Sequence, residues 1–391
     1  MFKRTLNMSL PKQQSAFLWG ARKTGKSTFL KHHFPHAVYY DFLQSDVIAR
    51  YLPHPERFRE EVLAMDTTTL NHPIIVDEVQ KVPALLNEIH WLIENTQASF
   101  ILCSSSARSL RQKGVNLLGG RAWRFDFYPL TSTEIPDFDL LRAMNHGLLP
   151  AHYLQAQPQR SLRSYISTYL KEEIQQESLV RNLPNFARFL EAIGYGHGEL
   201  TNYNNIARDC GIDSKTVKEY YQILVDTLVG YYLFPYRKKG KRQTLTATPK
   251  FYLFDLGIAN YLQHRKIQTL HGPEAGDSFE HFIFLELMAY RGLKELDFPI
   301  SYWRTKTQLE VDFILGQGSV AIEVKLSQNV RKSDVRGLLA FIEEHHPRVA
   351  IVVSQDPVAR KWVDEKYGEI WILPWREFLQ KLWQGAWSSG L

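Results

Sequence analysis

Two kinds of apolar pattern alternate along the first third of the chain. Short runs of strand length lie at 16–19, 73–76 and 99–103, and segments with apolar residues at helical spacing lie between them. The clearest of these helical segments covers 83–93. Because parallel strands are joined by crossover helices, this alternation predicts a parallel α/β sheet over the first third of the chain.

The pattern changes after residue 130. Residues 131–195 have a helical pattern, with 161–178 as the clearest amphipathic piece, and two shorter helical segments follow between 204 and 228. Alternating strand patterns then return between 302 and 325. We therefore expect a helical section between two α/β sections.

The first strand run leads into a complete phosphate-binding loop pattern: a Gly, four free positions, then Gly-Lys-Ser. Glycines let backbone N–H groups surround phosphate oxygens, and the N-terminus of the following helix adds its positive dipole end. We expect Lys26 to contact the β- and γ-phosphates of ATP and Ser27 to hold Mg²⁺. The residues expected to bind the nucleotide here are Gly20, Ala21, Arg22, Lys23, Thr24, Gly25, Lys26, Ser27 and Thr28.

A second strand supplies the carboxylates that ATP hydrolysis needs. The run 73–76 ends in Asp77 and Glu78. We expect Asp77 to hold the Mg²⁺ ion with Ser27, and Glu78 to polarise the attacking water. The next strand ends in serines, of which Ser104 or Ser105 is a candidate for sensing the γ-phosphate or the attacking water; a simple serine turn is the alternative. Nucleotide hydrolysis is the firmest functional prediction.

Composition and charge place few further limits on function. The 391 residues carry a formal charge of +6, with 44% hydrophobic and 23% charged residues, which is ordinary for a soluble protein. Two cysteines, Cys103 and Cys210, form no disulfide framework and fit a reducing cytoplasm. The basic N-terminus has no apolar segment after it, so we expect no signal peptide, and no apolar run has the length of a membrane span.

These motifs together resemble a widespread prokaryotic family: AAA-type ATPases with a C-terminal domain of unknown function that has a restriction-endonuclease-like core. The resemblance covers nearly the whole chain. One departure is Ser104, where the family usually has Gly, with Cys103 in place of the preceding Thr. The segments that carry the resemblance are the phosphate loop, 75–80, 118–121, 128–130, 147–150, 169–174 and 180–182.

The resemblance implies that 131–195 is an AAA lid or linker. By analogy with arginine fingers, Arg121 and Arg181 are candidates for stabilising the charge of the nucleotide, and Arg121 is counted among the nucleotide-binding residues. An ordinary surface arginine is the alternative for each. Self-association through the ATPase domain is left open.

Residues 199–254 have a pattern typical of DNA-binding modules. Ala207, Gly211 and Val217 have the spacing of a helix-turn-helix, and Lys215 and Lys218 are expected to face outward at the start of the second helix. Two strand patterns then flank a basic turn, which completes the pattern of a winged helix. A solvated loop or a protein-contact module is the alternative to DNA binding. The basic turn, called the basic wing below, is Arg237, Lys238, Lys239, Gly240, Lys241 and Arg242.

The last third carries a second catalytic pattern. Side chains alternate across a strand, so Glu323 and Lys325 share one face of a predicted hairpin with Asp312. Two carboxylates, Asp312 and Glu323, are expected to hold Mg²⁺, Lys325 to orient the attacking water, and Glu280 from an upstream helix to complete the metal shell. This pattern resembles the nuclease signature of the Holliday-junction-resolvase type. The alternatives are a salt-bridged sheet without catalysis, and Glu310, on the same face, as the true ligand.

We therefore interpret the chain as an α/β protein with a P-loop AAA-type ATPase core at 1–130, a helical lid or linker at 131–195, a winged helix-turn-helix at 196–255 and a restriction-endonuclease-like domain at 256–391. The predicted function is an ATP-hydrolysing, DNA-binding protein in the cytoplasm that processes DNA with Mg²⁺. The alternative is a regulatory or defence-related ATPase switch whose last domain binds DNA or protein without cutting.

Overall fold

The computed structural model describes residues 2–105, 118–170, 180, 182–237, 248–388 and 391, and of 168–170 it describes the backbone. Arg181 and residues 238–242 of the basic wing lie outside the described residues.

The N-terminal part is a five-stranded, fully parallel sheet, as the alternating pattern predicts. The strand order is β2-β3-β4-β1-β5, so β4 lies between the phosphate-loop strand and the strand that ends in the acidic pair. The strands are β1 (Ser15–Trp19), β2 (Tyr39–Asp41), β3 (Ile74–Asp77), β4 (Phe100–Ser104) and β5 (Ala122–Asp126). The helices are α1 (Lys26–His33), α2 (Ser45–Tyr51), α3 (Glu56–Leu63), α4 (Thr67–Leu70) and α5 (Leu85–Asn95).

A mainly helical section follows. Its helices are α6 (Leu140–His146), α7 (Pro150–Tyr153), α8 (Pro158–Ser164), a π-helical segment (Tyr165–Leu170) and α9 (Leu183–Tyr195). Next come α10 (Tyr203–Cys210) and α11 (Ser214–Asp226), which are joined by a short turn and packed through the buried Ala207 and Val217. This is the helix pair that the spacing predicts.

The second sheet has eight strands of mixed direction, in the order β12-β13-β11-β10-β9-β8-β6-β7. Its strands are β6 (Gly230–Pro235), β7 (Lys250–Leu253), β8 (Ile300–Arg304), β9 (Glu310–Leu315), β10 (Val320–Lys325), β11 (Val349–Ser354), β12 (Arg360–Asp364) and β13 (Gly368–Pro374). Its helices are α12 (Leu256–Leu262), α13 (Pro273–Leu293), α14 (Arg336–His345) and α15 (Trp375–Trp383). Short 3₁₀ turns lie at Val79–Lys81, Leu118–Gly120, Ser132–Glu134 and Lys332–Val335.

The strands β6 and β7 belong to this second sheet. They pair antiparallel with each other, and β6 also pairs parallel with β8 through Phe234 and Ser301. The expected boundary at residue 255 therefore lies within a section whose strands share one sheet with the C-terminal part. The four domain ranges stay predictions.

Helix α13 connects the two sheets. Its middle residues, such as Phe282 and Phe284, pack in the core of the second sheet. Near its C-terminal end, Ala289 and Leu293 pack in a cluster with Ala16 and Leu18 of β1. A helix that is apolar on nearly all sides is buried by several neighbours, and α13 has this role here.

Candidate functional site

The phosphate loop leaves β1 and enters α1 with the expected geometry. Gly25 has φ of 99°, a conformation that costs glycine little because it has no Cβ. The Lys26 ammonium is folded back on the loop, donating to the carbonyl oxygens of Gly20 (2.7 Å) and Ala21 (3.2 Å). The loop is closed further by the Thr24 hydroxyl, which donates to Ala21 O over 2.7 Å.

Gly20 is required by a close approach rather than by its dihedral angles. A Cβ atom at this position would lie 2.5 Å from the carbonyl oxygen and 2.9 Å from the Cβ of Phe127, and 3.3 Å from Cδ of Lys26. Any larger residue would therefore displace Phe127, just after β5, or the side chain of Lys26.

Ser27 and Asp77 meet beside the loop. The Ser27 hydroxyl donates to Asp77 Oδ2 over 2.6 Å, and the Tyr39 hydroxyl donates to the same oxygen. The other oxygen, Oδ1, is buried and receives no hydrogen bond from the described residues. A hydroxyl and a buried carboxylate oxygen without a donor fit a Mg²⁺ ion, which prefers hard oxygen ligands. Tyr39 had no signal in the sequence beyond its place on the neighbouring strand.

Glu78 has a left-handed backbone, with φ of 58° and ψ of 42°, which is uncommon for a residue with a side chain. Its carboxylate accepts a hydrogen bond from Gln80 Nε2 and lies 3.6 Å from the Arg22 guanidinium of the phosphate loop. The tip of β4 joins this group, because the Ser105 hydroxyl accepts from Gln80 Nε2 over 3.3 Å and from Arg22 Nε over 3.4 Å.

Gln80 is the residue of this group to which the sequence analysis assigned no role. It is buried, and its Oε1 atom receives no hydrogen bond from the described residues. Its position in the segment 75–80 was a signal, but only the structure brings it between Glu78 and Ser105.

Arg121 lies away from the nucleotide loop of its own chain. Ala122 pairs with Ser15 at the start of β1, so Arg121 is at the opposite edge of the sheet from the phosphate loop. Its guanidinium forms an ion pair with Glu94. The expectation that Arg121 contacts the nucleotide of its own chain therefore needs correction, because a five-residue strand separates them by roughly 16 Å.

An N-terminal arginine anchors the loop to the helical section. Arg4 donates to Thr24 O over 2.7 Å, to Tyr128 O over 2.6 Å and to Glu134 Oε2 over 3.0 Å, and its guanidinium stacks over the Phe127 ring. Burial lowers the pKa of Arg4, although Glu134 opposes that shift. The sequence offered no signal for this role.

The linker also touches the loop. Lys23 lies over the Tyr165 ring, and His152 makes an edge contact with the same ring. Burial and, second, the Lys23 charge lower the pKa of His152 to about 4, so this imidazole is neutral at pH 7. Among the described residues, neither ring nitrogen of His152 has a hydrogen-bond partner. This packing fits the lid or linker that the resemblance implies.

A carboxylate cluster lies on the second sheet. The register of β9 and β10 pairs Phe313 with Ile322, so Asp312 and Glu323 are the next opposing residues. Asp312 Oδ2 accepts from the backbone N–H of Val324 over 2.7 Å, and Glu323 Oε1 forms an ion pair with Lys325 at 2.7 Å. Glu323 Oε2 is buried and has no hydrogen-bond partner among the described residues.

Both carboxylates have a raised pKa. Burial and then the Glu323 charge raise the pKa of Asp312 well above its usual range. Burial likewise raises the pKa of Glu323 to about 7, although Lys325 opposes the shift. Two opposed carboxylates with raised pKa values gain from a divalent cation, which would stabilise both in the ionised form.

Glu280 and Glu310 lie at the same cluster but are already paired. Lys250 Nζ lies 3.3 Å from Glu280 Oε1 and 2.5 Å from Glu310 Oε1. The Tyr252 hydroxyl donates to Glu280 Oε1 over 2.5 Å, and Arg304 pairs with Glu310 Oε2 at 2.9 Å. Burial raises the pKa of Glu280, but Lys250 and the hydrogen bond from Tyr252 outweigh it and lower the pKa overall.

The carboxylates expected to form the metal shell therefore lie at one cluster but do not converge as ligands of one ion. Among the described residues, no three His, Cys, Asp or Glu side chains converge as metal ligands. The physical reason is that each carboxylate of the expected shell already has a partner. Glu280 pairs with Lys250, Glu323 pairs with Lys325, and Asp312 accepts from the Val324 amide. Lys250 and Tyr252 have no signal in the sequence, because they come from β7 and are brought to the cluster only by the sheet order.

The structure describes all of α11, the helix predicted to contact DNA, but only Arg237 of the basic wing. Lys215 and Lys218 are exposed, as expected, and Asp213 caps the helix by accepting from the backbone N–H groups of Lys215 and Thr216. The basic wing beyond Arg237 lies outside the described residues. The winged helix stays a prediction.

Of the helices in the described part of the chain, none is both long and apolar enough to cross a bilayer.

Three family models match consecutive parts of the chain. Residues 12–136 match a model described as AAA domain. Residues 137–269 match Domain of unknown function (DUF8612), and residues 275–378 match Domain of unknown function (DUF4143). The resemblance is thus confirmed for an AAA-type, nucleotide-binding ATPase domain followed by a C-terminal domain of unknown function. The nuclease-like core stays a prediction.

Similar whole proteins include an uncharacterized protein of Mycobacterium bovis and an uncharacterized protein of Mycobacterium tuberculosis. Each is 26% identical over 356 residues, which is 89% of this chain and 78% of the relative. Among solved structures, the Aeropyrum pernix ORC1 protein in complex with DNA aligns with 66% of this chain and 87% of its own chain, at 12% identity and a TM-score of 0.25. A TM-score this low supports no conclusion about this chain.

Proposed function

We propose that this AAA-type protein hydrolyses ATP with Mg²⁺ and that its C-terminal carboxylate cluster cuts DNA with the same kind of ion. The observation that carries the first half is the contact of Ser27 with Asp77 beside the phosphate loop, which leaves Asp77 Oδ1 without a donor among the described residues. A cytoplasmic location is part of the proposal.

In the ATPase site, Lys26 releases the loop carbonyls and binds the phosphates instead. Ser27 and Asp77 would hold Mg²⁺, which when bound offsets the phosphate charge. Glu78 accepts a proton from the attacking water, while Arg22, Gln80 and Ser105 fix the position of its carboxylate. The strained backbone of Glu78 is consistent with this role, since such conformations concentrate at active sites.

In the C-terminal site, Asp312 and Glu323 would hold Mg²⁺, which when bound activates water and stabilises a leaving oxygen. Lys325, 2.7 Å from Glu323, orients the water. Glu280 completes the shell once its present partners release it. The support for this half is the pair of opposed, buried carboxylates, one of which has an oxygen that receives no hydrogen bond from the described residues.

DNA is the proposed substrate because positive side chains lie on the adjacent helix-turn-helix. Lys215 and Lys218 on α11 are exposed, and the basic wing follows β6 in the sequence. Positive charge on one face binds the phosphate backbone without regard to sequence.

The ATPase proposal is tested with two variants. Lys26→Ala should abolish nucleotide binding because the phosphates lose their nearest cation. Glu78→Gln should bind ATP but not turn it over, because an amide does not accept the proton of water. ATP hydrolysis by Glu78→Gln at the parental rate would contradict the role given to Glu78.

The cleavage proposal is tested by incubating the full chain with branched and linear DNA, with and without ATP and Mg²⁺. Asp312→Ala and Lys325→Ala should each abolish metal-dependent cutting and leave ATP hydrolysis nearly intact, because the two sites lie on different sheets. Glu310→Ala tests the alternative that Glu310, on the same face, is the true ligand of the metal. Glu369→Ala, which removes an exposed partner of Lys361, is the control and should cut normally.

A second function is favoured by one observation. Lys250 and Tyr252 hold Glu280 away from a metal shell, as a domain that binds without cutting would allow. The chain would then be an ATPase switch, regulatory or defence-related, whose last domain binds DNA or protein. Absence of cutting by the parental chain with Mg²⁺, Mn²⁺ and ATP, together with intact DNA binding, would favour this function.

A further inference from the structure

One buried cation at the C-terminal cluster has no part in the predicted nuclease pattern. Lys250 is the first residue of β7, and its side chain is 5% exposed. Its ammonium lies between two carboxylates, 2.5 Å from Glu310 and 3.3 Å from Glu280. A buried lysine is costly unless it is paired, and here it is paired twice.

The charges of the cluster are nearly balanced by this lysine. Three cations face four carboxylates, so one negative charge remains when all four carboxylates are ionised. The cations are Lys250, Lys325 and Arg304, and the carboxylates are Glu280, Glu310, Asp312 and Glu323.

A buried oxygen of Glu323 without a donor among the described residues marks the place for a ligand. Glu323 is 4% exposed, and its Oε2 atom receives no hydrogen bond from the described residues. The charge of Glu280 acts on both Asp312 and Glu323, so these three carboxylates lie in one electrostatic environment. The charge of Lys250 also acts on Asp312, so a metal held by Asp312 and Glu323 would be repelled by Lys250.

We propose that Lys250 is an internal cation that competes with a divalent metal for the C-terminal carboxylates, so that the metal binds tightly only when Lys250 leaves Glu280. This inference rests on the proposed metal site. Lys250 supplies the charge compensation that the ion would otherwise supply, and it pairs with Oε1 of Glu280, a carboxylate of the expected metal shell. The C-terminal site is thus held in a metal-poor state by a residue of its own sheet.

The test is Mn²⁺ binding by the full chain, measured by calorimetry. The parent and all variants carry Asp77→Asn, so that the phosphate-loop site contributes little to the signal. Lys250→Met should bind Mn²⁺ at least about tenfold more tightly than the parent, because a repelling charge has been removed and a carboxylate freed. Adding Glu323→Gln to Lys250→Met should remove that gain. Lys361→Met removes an exposed ion pair on the same sheet and should bind like the parent.

Stability gives an independent readout. Lys250→Met leaves Glu280 without its cation and Glu310 with Arg304 alone, so its melting temperature should fall in chelator and rise on addition of Mn²⁺ by more than that of the parent. If Lys250 only stabilised the fold, Mn²⁺ would not raise the melting temperature of Lys250→Met more than that of the parent. Lys250→Gln keeps a donor for Glu280 and is used in the same way if Lys250→Met does not fold.

The outcomes separate this inference from the proposed function. Equal Mn²⁺ affinity in the parent and in Lys250→Met, with binding lost in Asp312→Asn, overturns the competition and leaves the metal site standing. No Mn²⁺ binding in the parent, Lys250→Met or Lys250→Gln overturns both. Tighter binding in Lys250→Met that Glu323→Gln does not remove also overturns the competition, since the metal would then bind elsewhere.

Discussion

Replacing Arg4 by Met should weaken both the fold of the ATPase domain and its hold on nucleotide. The guanidinium donates to the phosphate loop at Thr24, to the end of β5 at Tyr128 and to Glu134 in the linker. Methionine retains an apolar stem against the Phe127 ring but has no donor. Three acceptors therefore lose a donor in one substitution.

The magnitude follows from burial. Breaking a buried ion pair by removing one partner costs about 3–5 kcal/mol, because the remaining charge is left uncompensated. Glu134 keeps its hydrogen bonds from the backbone N–H groups of Thr5 and Thr131, which limits its own loss. The two carbonyls add to the cost, since hydrogen bonds that involve a charged group contribute about 1.5–3 kcal/mol each. We expect a loss of at least about 4 kcal/mol from the stability of this domain.

The assay is urea unfolding of the full chain, followed by tryptophan fluorescence, with ATP affinity measured on the folded protein. Arg124→Met is the matched control, because Arg124 is 57% exposed and pairs with a neighbour on its own strand. An exposed pair contributes only about 0–1 kcal/mol. If Arg4→Met costs no more than Arg124→Met and ATP affinity is unchanged, the reasoning that Arg4 holds the loop in place is refuted.

Three further predictions test separate parts of the molecule. Gly20→Ala should lower ATP affinity while the fold is retained, since its Cβ would displace Lys26 or Phe127; unchanged affinity would mean that the loop yields freely. In the absence of metal, Glu323 has a pKa raised to about 7 in the folded protein, so its contribution to stability is present at low pH and is lost as pH rises through 7. Thermal melts should therefore show the parent losing about 3 kcal/mol relative to Glu323→Gln between pH 4 and pH 8, and parallel curves would contradict this. Neutralising the basic wing should weaken DNA binding for all sequences and flatten its salt dependence, whereas an unchanged salt slope would move the wing to protein contact; the residues to change are Lys238, Lys239, Lys241 and Arg242.

Much of the ATPase site could be predicted from the sequence because its chemistry is local. The phosphate loop is eight consecutive residues, and its conformation depends on glycines at fixed positions. Asp77 and Glu78 are adjacent at the end of one strand, and parallel strands bring their ends to the same edge of the sheet. A side chain that acts at the end of its own strand can be assigned without knowing the rest of the fold.

The hairpin of the C-terminal cluster was predictable for a similar reason. Strand alternation alone puts Glu323 and Lys325 on one face, and the antiparallel register then puts Asp312 opposite Glu323. Both β9 and β10 lie within 302–325, where the alternating pattern predicts strands.

Tertiary structure alone decided what these groups contact. Lys250 lies 60 residues before Glu310, and Arg4 lies 130 residues before Glu134, so neither pairing leaves a local pattern in the chain. Arg121 shows the converse: its place in the segment 118–121 made it a candidate for the nucleotide. Parallel pairing of β5 with β1 instead places it at the edge of the sheet opposite the phosphate loop. Local sequence fixes dihedral angles and the face on which a side chain lies. Which charges become neighbours depends on strand order and helix packing, and these are determined by burial summed over the whole chain.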